Sequence, residues 1–186
     1  MSHRLFVAIR PPDAVIDAMI DTMDGIEHAR WQSEAQLHLT LRFIGEVDSP
    51  LANDIADALG AIRAAPFDLT FRGVGHFERG HWPSAVWARV APSPELNTLQ
   101  KKVERAVVSA GAEPETRRFV PHVTLARLNR SCGDLGAWLA AHGDFTAGPM
   151  RVDHVTLYES TLTRSGSHYD PVIRFPLRPA AQDRPE

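Results

Sequence analysis

The chain has 186 residues, 44% of them hydrophobic and 23% charged, the balance of an ordinary globular protein with enough apolar content for a substantial core. Its formal charge of −3 excludes the basic excess that a long track along duplex nucleic acid requires, but leaves a small anion or the end of a nucleic-acid strand as a partner. A single cysteine, Cys132, excludes an internal disulfide and any multi-cysteine metal site, and no apolar run reaches the length of a membrane span.

The start, MSHRLFVAIRPP, has an apolar stretch stopped by Arg10 and two prolines, too short for the core of a signal peptide. It reads as a first strand, Leu5 to Ile9, in a cytoplasmic protein. A helix is predicted from Asp13 to Glu27, with Val15, Ile16, Met19, Ile20 and Met23 near helical spacing. After Trp31 a second strand runs from Leu37 to Ile44, closed by Gly45. Pro50 and Asn53-Asp54 open a second helix that ends before Pro66, and Phe67 to Val74 is a third strand.

Residues 75–84, GHFERGHWPS, lack helix or strand periodicity and are taken as a connection between two lobes, about 1–80 and 81–177. The second half repeats the β-α-β-α-β order: strand Ala85 to Val90, helix Pro94 to Ala110, strand His122 to Leu128, short helix Leu135 to Ala141 and strand Val152 to Tyr158. Val172 to Leu177 adds a last strand, and 178–186 form a proline-rich, polar tail expected to fray. No exposed apolar stripe stands out, so a monomer is expected.

The word His-apolar-Thr-Leu occurs three times, at residues 38–41, 122–125 and 154–157. On a strand, residues i and i+2 share a face, so each copy places His and Thr together and turns two aliphatics to the other side. His38 and His122 occupy the second strand of their halves and are equivalent under a duplication, whereas His154 has no such partner. Two imidazoles and two hydroxyls converging on one cleft suit phosphoryl transfer without a metal. One neutral imidazole takes a proton from water and the other, protonated, gives one to the departing oxygen, while Thr40 and Thr124 donate to phosphate oxygens.

Nearby charge separates the copies. His38 is followed by Arg42 and His122 by Arg127, but Asp153 and Glu159 flank the third copy and would repel a phosphate. Alternation puts Arg42 on the His38 face; it puts Arg127 on the opposite face unless the strand ends or bulges first.

The segments LFVAIRPP, HLTLRFIGEV, VPHVTLAR and VTLYES, followed by Gly166-Ser167-His168-Tyr169, closely resemble the two-histidine phosphoesterases, and within them the RNA 2′,3′-cyclic phosphodiesterases, or 2′-5′ RNA ligase-like proteins. The likeness spans about residues 4–177. It implies an α+β fold of two pseudo-symmetric lobes, each an antiparallel sheet with helices outside, around a central cleft. It further implies that His38 protonates the leaving oxygen, that His122 activates water, that Thr40 and Thr124 bind phosphate, and that Arg127 is the arginine ending the second motif's strand; with Arg42, Arg127 is a candidate for holding the substrate's charge, or else a structural residue. The implied reaction converts an RNA terminal 2′,3′-cyclic phosphate to a 2′-phosphate, with no cofactor or metal and with weak reverse 2′-5′ ligation. The third motif falls on a non-catalytic strand of the family.

Aromatic residues near these motifs are candidates for stacking on a terminal base. Packing is the preferred role for Phe43, Phe77 and Trp87, and Trp82 is open between the two. The competing functions are a zinc hydrolase, weakened by the absence of H-E-x-x-H or a compact His/Asp cluster, a non-catalytic RNA- or nucleotide-binding module, and a phosphodiesterase for a small cyclic phosphate derived from ADP-ribose.

Overall fold

The computed structural model describes residues 1–164 and 166–180, and the expected tail from 181 onward lies outside them. In chain order the elements are β1 (Ser2–Ile9), α1 (Asp13–Ile20), β2 (Arg30–Trp31), a 3-10 turn (Glu34–Gln36), β3 (Leu39–Asp48), α2 (Ser49–Gly60), β4 (Phe67–Arg79), β5 (Trp82–Val90), α3 (Pro94–Ser109), β6 (His122–Arg127), α4 (Gly136–Ala141), β7 (Thr146–Val152), β8 (His154–Thr163) and β9 (Gly166–Pro176).

Local chemistry sets the helix ends. Asp48 accepts the Leu51 N–H at 3.0 Å to cap α2, and Ser93 accepts the Leu96 N–H at 3.1 Å to cap α3, each with a proline in the first turn. Helix α1 stops at Ile20 rather than Glu27. The Thr22 hydroxyl turns back onto the Met19 carbonyl at 2.7 Å, and Gly25 then takes a φ of +85° that reverses the chain. The Thr22 carbonyl in turn accepts the Trp138 indole N–H at 2.8 Å, fastening this corner to α4.

The strands are antiparallel and ordered β7-β4-β5-β6-β3-β1-β8-β9, with β2 also beside β6. This is the expected α+β architecture of two antiparallel lobes. Four strands lie on each side of a seam between β6 and β3, where one pair, Leu39 opposite Val123, makes the connection. Helices α2 and α3 contact each other and pack on β1 and β3, and α1 contacts β7. The core fills the space behind the sheet, led by fully buried Leu39, Leu125, Phe71, Ile55, Leu59 and Leu99.

Two expectations fail here. The lobes are not contiguous halves divided near residue 80: β4, from the first half, pairs with β5, while β8, from the second half, pairs with β1. Each third strand crosses to the other lobe, because strand partners are chosen by apolar faces far apart in sequence. Residues 75–84 are likewise no open connection but the outer end of the β4–β5 hairpin, Arg79 facing Trp82 across the turn Gly80-His81. Gly80 has φ +66°, the positive value a tight hairpin between right-twisted strands needs.

The predicted strand Val152 to Tyr158 is two strands, β7 and β8, parted at Asp153. Strand β7 lies at the sheet edge, where Pro149 is tolerated, and that proline hid it from a pattern search. Among the described residues no helix is long and apolar enough to cross a membrane.

Candidate active site

The seam fixes the site. With Leu39 opposite Val123 in an antiparallel pair, one further step each way puts His38 opposite Thr124 and Thr40 opposite His122. Leu39 and Val123 are completely buried on the core face, and the other four residues are half-buried on the opposite face. Directly opposed side chains on one sheet face sit about 5 Å apart at Cβ. The pairing therefore gathers two imidazoles and two hydroxyls within one small cleft.

Each histidine ring is held by the backbone two residues upstream. The His122 Nδ1–H donates to the Val120 carbonyl at 2.6 Å, and because a carbonyl can only accept, Nδ1 carries the hydrogen and Nε2 is left for the cleft. The backbone of Gln36, also two residues upstream, hydrogen-bonds the His38 ring. Aromatic rings wall both: Phe6 stacks on His38 at 4.9 Å between centroids and Tyr169 meets it edge-on at 5.0 Å, while Phe77 meets His122 edge-on at 4.8 Å and Trp87 lies at 5.8 Å.

Burial lowers the pKa of His38 from 6.5 to about 4; the Gln36 hydrogen bond opposes this, and the charges of His122, Arg10 and Arg127 add to it. His122 is also lowered, again by burial first, with Val120 opposing and Arg127 adding. At neutral pH the cleft thus holds two neutral imidazoles near cationic side chains.

The two arginines named with the motifs go to opposite sides, and paired bulges are the reason. Ala8 faces Thr40 but Val7 faces Arg42, leaving Leu41 as an extra residue; Trp87 faces Thr124 but Val86 faces Ala126, leaving Leu125 extra. Each bulge inverts the alternation three residues after its histidine. Arg42 consequently turns away from the His38 face. It is 6% exposed, ion-paired to Glu104 at 2.9 Å and Glu115 at 3.5 Å, and donates to the Glu113 carbonyl. It still lines the cavity that holds Thr40 and His122, but with two carboxylates already beside its charge. Arg127 is exposed and, by the same inversion, returned to the His122 face, from which its charge is felt by both imidazoles.

Phe43 takes the position in β3 that Arg127 takes in β6, and it is 38% exposed under the Arg4 guanidinium at 4.9 Å. The expectation that it packs in the core is corrected by the bulge. Phe77 lines the cleft; Trp87, 7% exposed, belongs to both core and wall. Trp82 is exposed below the Arg130 guanidinium, beside a separate cavity of about 360 Å³.

A cavity of about 700 Å³ opens on the His38 side, lined by Arg10, Thr156, Tyr158, Tyr169 and Arg174 among others. Another, about 480 Å³, opens on the His122 side between Phe43, Phe77, Phe119, Arg117 and Arg118. Arg10, Phe6, Tyr158 and Arg174 were missed in the sequence. Alternation along β1 would have placed Phe6 and Arg10 on one face, but which face met the cleft depended on pairing with β3. The histidine of the third motif stands apart: His154 is hydrogen-bonded to Asp153 and lines neither cavity, whereas Thr156, largely buried, reaches the wall of the His38-side cavity. Among the described residues no three His, Cys, Asp or Glu side chains gather as a metal site would require.

A family model described as the 2′-5′ RNA ligase superfamily matches residues 11–164. An RNA 2′,3′-cyclic phosphodiesterase of Aeropyrum pernix is 40% identical over 139 residues, covering 73% of this chain and 79% of the relative. Another from Thermotoga maritima is 35% identical over 143 residues, covering 76% and 75%. In structure, E. coli LigT complexed with 3′-AMP superposes with a TM-score of 0.77 at 26% identity, over 95% of this chain and 99% of that one.

Proposed function

The chain belongs to the 2′-5′ RNA ligase superfamily, and on that premise we propose that it hydrolyses the 2′,3′-cyclic phosphate at an RNA end to a 2′-phosphate, using His38 and His122 as acid and base. The observation that carries this reading is the Leu39–Val123 pairing, which sets both His-x-Thr pairs on one sheet face. The relatives named above bear that activity in their names.

In the proposed reaction the cyclic phosphate lies between the imidazoles, with the Thr40 and Thr124 hydroxyls donating to its non-bridging oxygens and Arg127 opposing its charge. Water bonds to phosphorus and gives its proton to Nε2 of His122, while the P–O3′ bond breaks and O3′ takes the proton held by His38. A 2′-phosphate and a 3′-hydroxyl result. Burial above all, with the charges of Arg10 and Arg127 adding to it, keeps His38 neutral, and the negative charge of a bound phosphate opposes both, so substrate itself promotes the protonated acid. The same ring opening with an RNA 5′-hydroxyl in place of water, its proton taken by His122 and O3′ again leaving, is weak 2′-5′ ligation.

The test is turnover of an oligonucleotide with a 2′,3′-cyclic end in EDTA, with the product resolved by phosphorus NMR. Formation of a 2′-phosphate is expected. Inactivity in chelator would return the zinc hydrolase to consideration, and binding without turnover would favour the non-catalytic module.

A further inference from the structure

Beside β6 lies the two-residue strand β2, which pairs Arg30 with Arg127 and Trp31 with Ala126. Opposed residues of an antiparallel pair point to the same face. Ala126 is wholly buried, and Trp31 packs on the core with Trp138 at 6.2 Å, so that pair faces inward. Arg30 and Arg127 therefore stand together on the cleft side.

Like charges directly opposed across strands repel. Arg10, Arg42, Arg117 and Arg151 each have a carboxylate within salt-bridge distance, but among the described residues neither Arg30 nor Arg127 does. The doublet is held by more than its own short strand: the Gln32 N–H donates to the carbonyl of the bulged Leu125 at 2.8 Å, and Trp31 anchors from behind. Two cationic side chains thus start side by side from backbones one strand spacing, roughly 5 Å, apart, a pairing that an anion between them would stabilise. That spacing is of the order of one phosphate-to-phosphate step along RNA.

Resting on the functional reading above, we infer that Arg30 binds the phosphodiester on the 5′ side of the cyclic-phosphate nucleotide while Arg127 serves the reacting phosphate, so the pair favours an RNA end over a lone nucleoside 2′,3′-cyclic phosphate. Arg30 is exposed, so replacing it leaves the core intact. The experiment compares kcat/KM on a dinucleotide with a 2′,3′-cyclic end and on the mononucleoside 2′,3′-cyclic phosphate, for wild type, Arg30→Ala and Arg30→Lys. Loss of one charge-assisted contact should lower the dinucleotide value about tenfold, mainly through KM, with partial rescue by lysine. The mononucleotide value should stay within about twofold of wild type, as no contact to it is lost. The salt dependence on the dinucleotide should also weaken by about 0.7 in its logarithmic slope.

An equal loss on both substrates would place Arg30 on the reacting phosphate and overturn the inference, as would no loss on either. Those results require an active wild type. A wild type inert on both substrates would overturn the functional reading and this inference with it.

Discussion

Acidification should destabilise the folded protein through His38. Its pKa is 6.5 when unrestrained and about 4 in the fold, so below pH 6.5 the unfolded chain takes up a proton that the folded chain refuses. Stability contributed by the neutral ring is therefore intact above pH 6.5 and is lost as the pH falls toward 4. Integrating proton uptake between those two pKa values gives a loss of about 2 kcal/mol from pH 7 to pH 5, and about 3 kcal/mol by pH 4. Denaturant unfolding of wild type and His38→Gln at pH 7, 6 and 5 isolates the effect. The variant should lose about 2 kcal/mol less than wild type over that range, whatever its stability at pH 7. Parallel curves for the two proteins would refute the reasoning, because the burial of His38 would then have no cost to its charged form.

Other expectations follow from the same geometry. Arg42→Ala should cost about 2–3 kcal/mol by leaving Glu104 and Glu115 beside an empty position, with kcat/KM on cyclic-ended RNA little changed, whereas Arg127→Ala should leave unfolding unchanged and lower kcat/KM about a hundredfold. A Cβ on Gly75 would meet the Trp87 ring at 2.4 Å, and Trp87 lies against His122. Gly75→Ala should therefore destabilise by about 1–3 kcal/mol in denaturant unfolding and also depress turnover. Binding of a nucleoside 2′-phosphate near pH 7 should take up protons, seen as a binding heat that varies with the buffer's ionisation enthalpy; a buffer-independent heat would contradict the promotion of a protonated imidazole by the bound phosphate.

Much of the cleft was legible because alternation along a strand is a local property: HLTL and HVTL each had to put His and Thr on one face with aliphatics behind. Equivalence of the two copies could also be read, from their place in a repeated element order. What resisted reading depended on partners distant in the chain. The bulges at Leu41 and Leu125 exist only relative to β1 and β5, and they reversed the faces expected of Arg42 and Arg127. The carboxylates that hold Arg42 come from α3 and the segment after it, with no signal near residue 42 itself. Helix α1 ended early because Thr22 and Gly25 closed it, although the apolar spacing continued to Met23. The exchange of β4 and β8 between lobes left no mark in either half, since pairing is decided by the assembled sheet.

The central claim, that the first two His-x-Thr motifs carry catalysis and the third does not, is tested most directly by turnover on a cyclic-ended oligonucleotide in EDTA for wild type, His38→Ala, His122→Ala and His154→Ala. Loss of orders of magnitude is expected for the first two variants, with His154→Ala near wild type and a 2′-phosphate as product. A folded His154→Ala protein as impaired as the others, or a near-normal rate for either His38→Ala or His122→Ala, would contradict it.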